Sequence, residues 1–389
     1  MSPASGRRGA RMPATYDAIV VGLGIMGSAT AAELAGQGNR VLALEARWPL
    51  HRCGASADES RILRLSHPDY PCYASDAGAA LDAWRDLEAT VGTKLFQPTG
   101  GLLVSRASSS ALSAAAAAAA AADTAHKLLT TAELRMRYPW LRFRQADEGF
   151  LDLGAGILLA DRCLTAYQQA AVAAGAELRF GAELDLREIT RSWLENHEIP
   201  VSGTKVNGRH LVLAIGAWLG SAPAPLRWPE VWIERTVSHW FSPGLQVPGI
   251  GVENSPFVEW IDDQLELCMI PTINGRVKVK THHTGQEADP AAGPAPPTAA
   301  EEAFVRSSLK ELSGLDLPPL GAAASMYTNT ADRSLQVRRH PTILDLTTIA
   351  ACSGHGFKFA PLVAARAAQL CTTVPAQTSQ APTVQQHAL

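Results

Sequence analysis

The sequence predicts an α/β fold: a parallel-sheet domain assembled from separated segments, with a mixed, largely antiparallel sheet domain inserted into it. Three observations predict it. Short, uniformly apolar runs stand towards both ends of the chain, as strands buried on both faces require. The first of them runs straight into closely spaced glycines and a helical pattern. The middle of the chain instead carries short alternating segments separated by turn residues.

Taken in order, 17–22 (Asp-Ala-Ile-Val-Val-Gly) reads as a buried strand. Ser28 to Gln37 reads as a helix stopped by Gly38, and Arg40 to Glu45 as a second strand, which completes a βαβ unit. A helix is expected over 76–91, with Ala80, Leu81, Trp84 and Leu87 on one face. The stretch 108–127 holds the alanine run Ala114–Ala122 and reads as an exposed helix, because alanine has the best intrinsic helix propensity. A helix over 163–174 and a strand over 176–180 follow, then an apolar strand, 210–216. Segments 231–241, 257–261, 265–270 and 276–281 read as antiparallel strands, the last two joined by an Asn274-Gly275 turn. After a Pro/Ala-rich loop over 286–300 come a helix (301–313), a strand (347–351), a glycine turn and a final helix (360–370). The expected division is 13–95, 150–222 and 326–375 for the nucleotide domain and 96–149 with 223–325 for the inserted domain. Residues 1–12 and 376–389 are expected to be flexible tails.

Composition narrows the function classes. A chain of 389 residues, 47% hydrophobic and 18% charged, can bury two cores. A formal charge of -3 gives no basic footprint for nucleic acid. No apolar run reaches the roughly 20 residues of a membrane span. The six cysteines show neither CxxC pairs nor metal-ligand spacing, so no metal is expected and they read as reduced thiols of a cytoplasmic protein.

Gly22-x-Gly24-x-x-Gly27 lies between the first strand and the first helix. Gly22 permits the tight turn, Gly24 the approach of a pyrophosphate, and Gly27 close helix–strand packing. The helix N-terminus then offers N–H groups and a positive dipole end to the anion. Glu45 closes the second strand where an acid bonds a ribose hydroxyl, which disfavours a 2′-phosphate. FAD and NAD both remain open on this motif.

Three further segments are similar to the monomeric sarcosine oxidase and N-methyltryptophan oxidase family of D-amino acid oxidase-like flavoproteins. They are 353–358 (Ser-Gly-His-Gly-Phe-Lys), 210–218 (His-Leu-Val-Leu-Ala-Ile-Gly-Ala-Trp) and 60–64 (Ser-Arg-Ile-Leu-Arg). The resemblance spans about 16–373. It implies a glutathione-reductase-like FAD-binding domain and an oxidase of amines next to a carboxylate, producing an imine and, with molecular oxygen, hydrogen peroxide. It also implies roles for single residues. Arg64 and Lys358 align with a substrate-carboxylate clamp, Arg61 with a residue packed against the flavin ring, and His282 with an active-site histidine. Gly216, Gly354, His355 and Gly356 fall in turns that meet the cofactor. Lys278 aligns with the lysine that activates oxygen. Lys280 shares its strand face and competes for that assignment, only the register counted from Thr281-His282 favouring Lys278.

The chain also departs from the family. Ser325 stands where the family's cysteine attaches to the flavin, and a hydroxyl lacks the thiolate that forms such a bond. FAD is therefore expected to be held non-covalently, with no cysteine nearer in sequence than Cys352. Cys268 replaces an aromatic residue three positions before Pro271, and Arg338-Arg339-His340-Pro341 replaces an acid before the His-Pro pair. A pocket with less phenol and more positive charge points away from sarcosine towards a larger or more polar amino acid, one candidate being a biosynthetic intermediate. A flavin-dependent amine dehydrogenase with another electron acceptor is the alternative.

Overall fold

The computed structural model describes residues 15–67, 73–106, 109–227, 229–244, 249–262, 265–350 and 353–373. Both expected tails, Cys72 and Cys352 lie outside the described residues, as does Ala351 at the end of an expected strand.

The first sheet has six strands, in the order 336–339, 346–350, 211–213, 18–21, 41–44 and 177–179. All neighbours are parallel except the edge pair 336–339 and 346–350, which is antiparallel. Strand 18–21 is wholly buried, which explains its unbroken apolar sequence. Helices 25–36, 73–91, 160–173 and 360–372 cover one face of this sheet, and helix 186–196 contributes Trp193 to the core on the other. Consecutive strands of the sheet come from the beginning, middle and end of the chain, as a domain built from separated segments requires.

The second sheet has eight strands, in the order 319–329, 232–241, 276–281, 265–273, 257–262, 101–106, 147–152 and 126–129. All neighbours are antiparallel except 257–262 with 101–106. The Asn274-Gly275 turn forms with both residues at positive φ, 51° and 76°. One face packs against helices 131–137 and 299–313, burying Leu134, Val305 and Leu309. A small sheet of 61–63, 156–158 and 96–97 lies apart from both.

Several expectations are corrected. The alanine helix runs from Ser110 to Ala121 and is exposed on one side only: Ala115 and Ala119 are buried against Leu103 and Phe150, while Ser113, Ala117 and Ala120 face solvent. Small side chains here let the helix lie close to the sheet. It does not continue through Lys127, because Asp123 adopts a left-handed φ of 51° and 126–129 pairs as a strand with 147–152. Strand 319–329 belongs to the second sheet over its whole length, so the expected boundary at 325/326 falls inside an element. Strand 147–152 crosses 149/150 in the same way. Helix 186–196 and the hairpin 198–201 with 204–207 had not been anticipated.

Candidate functional site

A single cavity of about 850 Å³ is lined by the glycine turn and Glu45 at one end and by the second sheet at the other. At the first end the glycines are demanded by sterics. A Cβ on Gly27 would lie 1.8 Å from the Gly22 oxygen, and one on Gly22, at φ +96°, would lie 2.5 Å from the Ala214 oxygen. Gly24 precedes helix 25–36 without a side-chain cap, and the Ile25 N–H donates to Ser56 Oγ at 3.0 Å. The Glu45 carboxylate accepts from the Leu23 N–H at 2.9 Å and the Arg47 N–H at 3.1 Å. Burial works against that carboxylate, yet bonding from His51 and Leu23 holds its pKa below the usual range. His51 Nδ1, also in the cavity wall, is buried with no hydrogen-bond partner among the described residues. Gly216 opens a 3-10 turn at φ +54°, and Gly354 sits at φ +78° with Tyr327 and His283 against it. Gly356 has an ordinary helical φ of -69°, so its backbone does not require glycine.

The other end is rich in charge. Arg64 Nη1 donates to Glu259 Oε2 at 2.9 Å, and Glu259 is only 2% exposed. Lys358, at 3% exposure, is lowered to a pKa of about 7 by burial and by Arg64, with Glu259 opposing. Burial and Lys358 push His355 down to about 3, and the same two causes depress His67, whose Nε2 is buried without a partner among the described residues. The sheet floor is set by register. Glu259 lies opposite Cys268, Cys268 opposite Lys280, and Ile270 opposite Lys278, all facing the cavity.

Lys278 and Lys280 differ sharply there. Lys278 is buried, its ammonium paired with Asp58 and 3.3 Å from the Ser60 oxygen. Lys280 lies 4.4 Å above the Tyr327 ring and is only half-buried. The Tyr327 hydroxyl is 3.0 Å from His282 Nδ1, and burial keeps that imidazole neutral, Lys280 adding to the effect. His283 is bound to Glu234 at 3.1 Å. Arg61 donates to Asp58 and to the Ser60 and Ala55 oxygens, with its guanidinium 5.6 Å from the centre of the Phe357 ring.

The structure thus brings Gly22, Gly24, Glu45, Arg61, Arg64, Gly216, Lys278, His282, Ser325, Gly354, His355, Gly356 and Lys358 onto one cavity. Gly27 packs behind the turn rather than lining it. Arg338, Arg339 and His340 do not reach it: Arg339 bonds the Leu370 and Thr373 oxygens at the end of the last helix. These three residues therefore add no positive charge to the pocket. Among the described residues the cysteine found in the cavity wall is Cys268, separated from Ser325 by two intervening strands. Sequence reasoning missed Asp58 and Glu259. Neither sits in a recognisable motif, and each is defined by a partner about two hundred positions away in the chain.

A family model described as FAD dependent oxidoreductase matches residues 17–370. The chain is 33% identical over 371 residues to a monomeric sarcosine oxidase of Streptomyces avermitilis, covering 93% of this chain and 95% of that protein. It is 31% identical over 366 residues to the human peroxisomal sarcosine oxidase, covering 90% of each. Among solved structures, L-proline dehydrogenase from P. horikoshii superposes with a TM-score of 0.79 at 20% identity, covering 93% of this chain and 94% of that one. NikD, an unusual amino acid oxidase essential for nikkomycin biosynthesis, superposes in its open form with a TM-score of 0.77 at 20% identity, covering 94% and 96%. These two likenesses bear on the fold. The glycine cradle, the acid at the ribose position and the unpartnered His51 nitrogen fit a dinucleotide, and the family match identifies which one: the chain belongs to the FAD dependent oxidoreductase family, among the relatives of sarcosine and amino acid oxidases.

Proposed function

We propose that this enzyme oxidises a C–N bond in an amino acid or N-substituted amino acid, with dissociable FAD and with molecular oxygen as the final acceptor. The observation that carries the reading is the meeting of two cations, the half-buried Arg64 and the buried Lys358, with one acid, Glu259, on a cavity whose far end is a dinucleotide cradle. With Lys358 protonated these three charges sum to +1, which suits a single carboxylate. A planar guanidinium and an ammonium would hold that group and turn the adjacent C–H towards the cofactor.

When bound, FAD supplies the two-electron acceptor, and the protein supplies orientation and fields. The glycine turn and the start of helix 25–36 would receive the pyrophosphate, and Glu45 the ribose. Arg61 would lie against the ring system. His282, neutral and bonded to Tyr327, can accept or hold a proton at the substrate end. The substrate would lose two electrons and two protons to become an imine, which water splits to a carbonyl compound and an amine. Oxygen would take up the two electrons and two protons as hydrogen peroxide, with the Lys278 cation placed to offset the negative charge that develops on oxygen.

Ser325 in the cavity wall supports non-covalent binding, as does the state of Cys268. Burial, with Glu259 and Glu266 nearby, raises the Cys268 thiol well above its usual pKa and keeps it protonated. With Glu259 and Cys268 on the floor, a polar side chain larger than that of sarcosine suits the pocket better.

Purified protein should be yellow, and acid precipitation should leave FAD in the supernatant. Flavin retained in the pellet would sink the non-covalent reading. A peroxide-coupled screen of amino acids and N-alkyl amino acids should return a substrate. Turnover that needs an artificial acceptor and makes no peroxide would replace the oxidase by a dehydrogenase.

A further inference from the structure

We propose that Asp58 is a positioning residue for the oxygen-reducing end of the site, one carboxylate that holds both Lys278 and Arg61 in place and keeps Lys278 an ammonium. The inference rests on the reading of Lys278 given above and extends it to a residue that no motif singles out.

Asp58 Oδ2 accepts from Arg61 Nη1 at 2.6 Å and from Lys278 Nζ, so one oxygen bridges two cations. The other oxygen, Oδ1, accepts the Glu59 N–H at 2.7 Å. The Asp58 backbone is fixed in turn from outside the cavity. Its N–H donates to Asp161 Oδ1 at 2.8 Å, and its carbonyl accepts from the Asp161 N–H at 2.9 Å, at the start of helix 160–173. The carboxylate is therefore held from the helix layer of the first sheet and presented to a strand of the second.

A lysine buried to 6% exposure needs such a partner, because a desolvated ammonium sheds its proton unless an opposite charge is near. The other groups facing Lys278 do not provide one. Arg61 is a cation, Cys268 a protonated thiol, His282 a neutral imidazole, and Trp240 offers its ring at 5.9 Å. Glu59 is nearby but is already engaged by Arg276 and by Trp240 Nε1 at 3.1 Å. Lys280, next on the same face, adds a further positive charge. Burial lowers the Lys278 pKa, Asp58 raises it, and Arg61 lowers it again. Without Asp58 the two larger remaining influences, burial and Arg61, favour the neutral amine against a smaller opposing one from Cys268.

The test uses the FAD-loaded enzyme, with reduction by substrate and reoxidation by oxygen measured separately from pH 6 to 10. Asp58→Asn should give a reoxidation rate that falls about tenfold per pH unit above a midpoint inside this range, while wild type stays flat to higher pH. Reduction by substrate should change less than about twofold. Asp58→Glu, which keeps the charge, should restore most of the flat profile. Asp58→Asn combined with Lys278→Arg should be flat, since a guanidinium does not titrate there. If Asp58→Asn fails to load flavin, Asp161→Ala, which loosens the Asp58 backbone, should lower the midpoint more mildly. A second readout needs no turnover: a double-mutant cycle of Asp58→Asn and Lys278→Met on urea unfolding should show non-additivity. Lys278→Met that slows reoxidation alongside an Asp58→Asn profile identical to wild type overturns the proposal alone. Lys278→Met that reoxidises at the wild-type rate overturns both the proposal and the reading of Lys278, and a persisting coupling in the cycle would then mark the pair as purely structural.

Discussion

Arg64 does not wait in the cavity as a lone cation; it is already bonded to Glu259 at 2.9 Å, on a carboxylate almost wholly buried. This pairing changes what a truncation there means. Arg64→Ala removes the guanidinium from the substrate carboxylate and also leaves Glu259 buried, unneutralised by Arg64 and facing the incoming anion. Losing one partner of a buried charge pair costs about 2–5 kcal/mol, so KM should rise by at least about thirtyfold. Arg64→Ala with Glu259→Gln should recover part of that loss, about tenfold in KM, because the repelling charge goes with it. Steady-state kinetics with the substrate returned by the peroxide screen measures both. A double variant no better than Arg64→Ala would show that Glu259 does not face the bound carboxylate.

At the scale of elements, the second sheet depends on a side chain remote from the cavity. Arg235, buried at the centre of strand 232–241, donates to Gln286 Oε1, to the Ala295 and Pro296 oxygens and to both oxygens of Glu301. It fastens the Pro/Ala-rich segment and the start of helix 299–313, where Thr298 and Glu301 form a capping box. Arg235→Met should lower stability to urea by about 3 kcal/mol, the low end for breaking a buried pair, since Glu301 is partly exposed. The flavin spectrum should be unchanged. A loss below about 0.5 kcal/mol would mean the loop is held by other contacts. The sequence disclosed elements like these unevenly, for physical reasons. Strands at 17–22, 40–45 and 210–216 were legible because burial on both faces leaves an unbroken apolar run, and the 265–281 hairpin because its turn needs two residues at positive φ. Strand 319–329 was hidden, since Gly321-Ala-Ala-Ala carries no β-branched signal and is held by its pairing with 232–241. The cavity's glycines could be read from spacing alone. The Asp58–Lys278 and Arg64–Glu259 pairs could not, because their chemistry exists only where the segment around strand 61–63 meets the second sheet.

Across the whole molecule, the titration of buried bases sets how stability depends on pH. Burial lowers His210 to about 4 and His355 to about 3, and it also depresses His67 and His282. Their ordinary value is 6.5, so the unfolded chain binds more protons than the folded one as pH falls through that value. Stability therefore declines with falling pH, beginning near 6.5 and continuing towards the folded values. Lys358 gives the same sign at higher pH: folded at about 7 against an ordinary 10.5, it makes stability rise with pH between those two. Asp152, whose carboxyl burial raises, pulls the other way, but only around the carboxylate range. The FAD-loaded protein should have a clearly lower Tm at pH 5 than at pH 7.5, measured at fixed ionic strength and flavin concentration. His210 is the residue with which to dissect the effect, because its Nε2 lies 2.9 Å from Thr347 Oγ1 between two strands of the first sheet, away from the cavity. His210→Gln offers a donor and an acceptor without a titrating base, so its stability should decline less steeply between pH 6.5 and 4.5 than that of wild type. Equal slopes for the two proteins would mean that His210 is not held neutral, and a Tm that does not move between pH 7.5 and 5 would remove the buried histidines as the source of acid sensitivity.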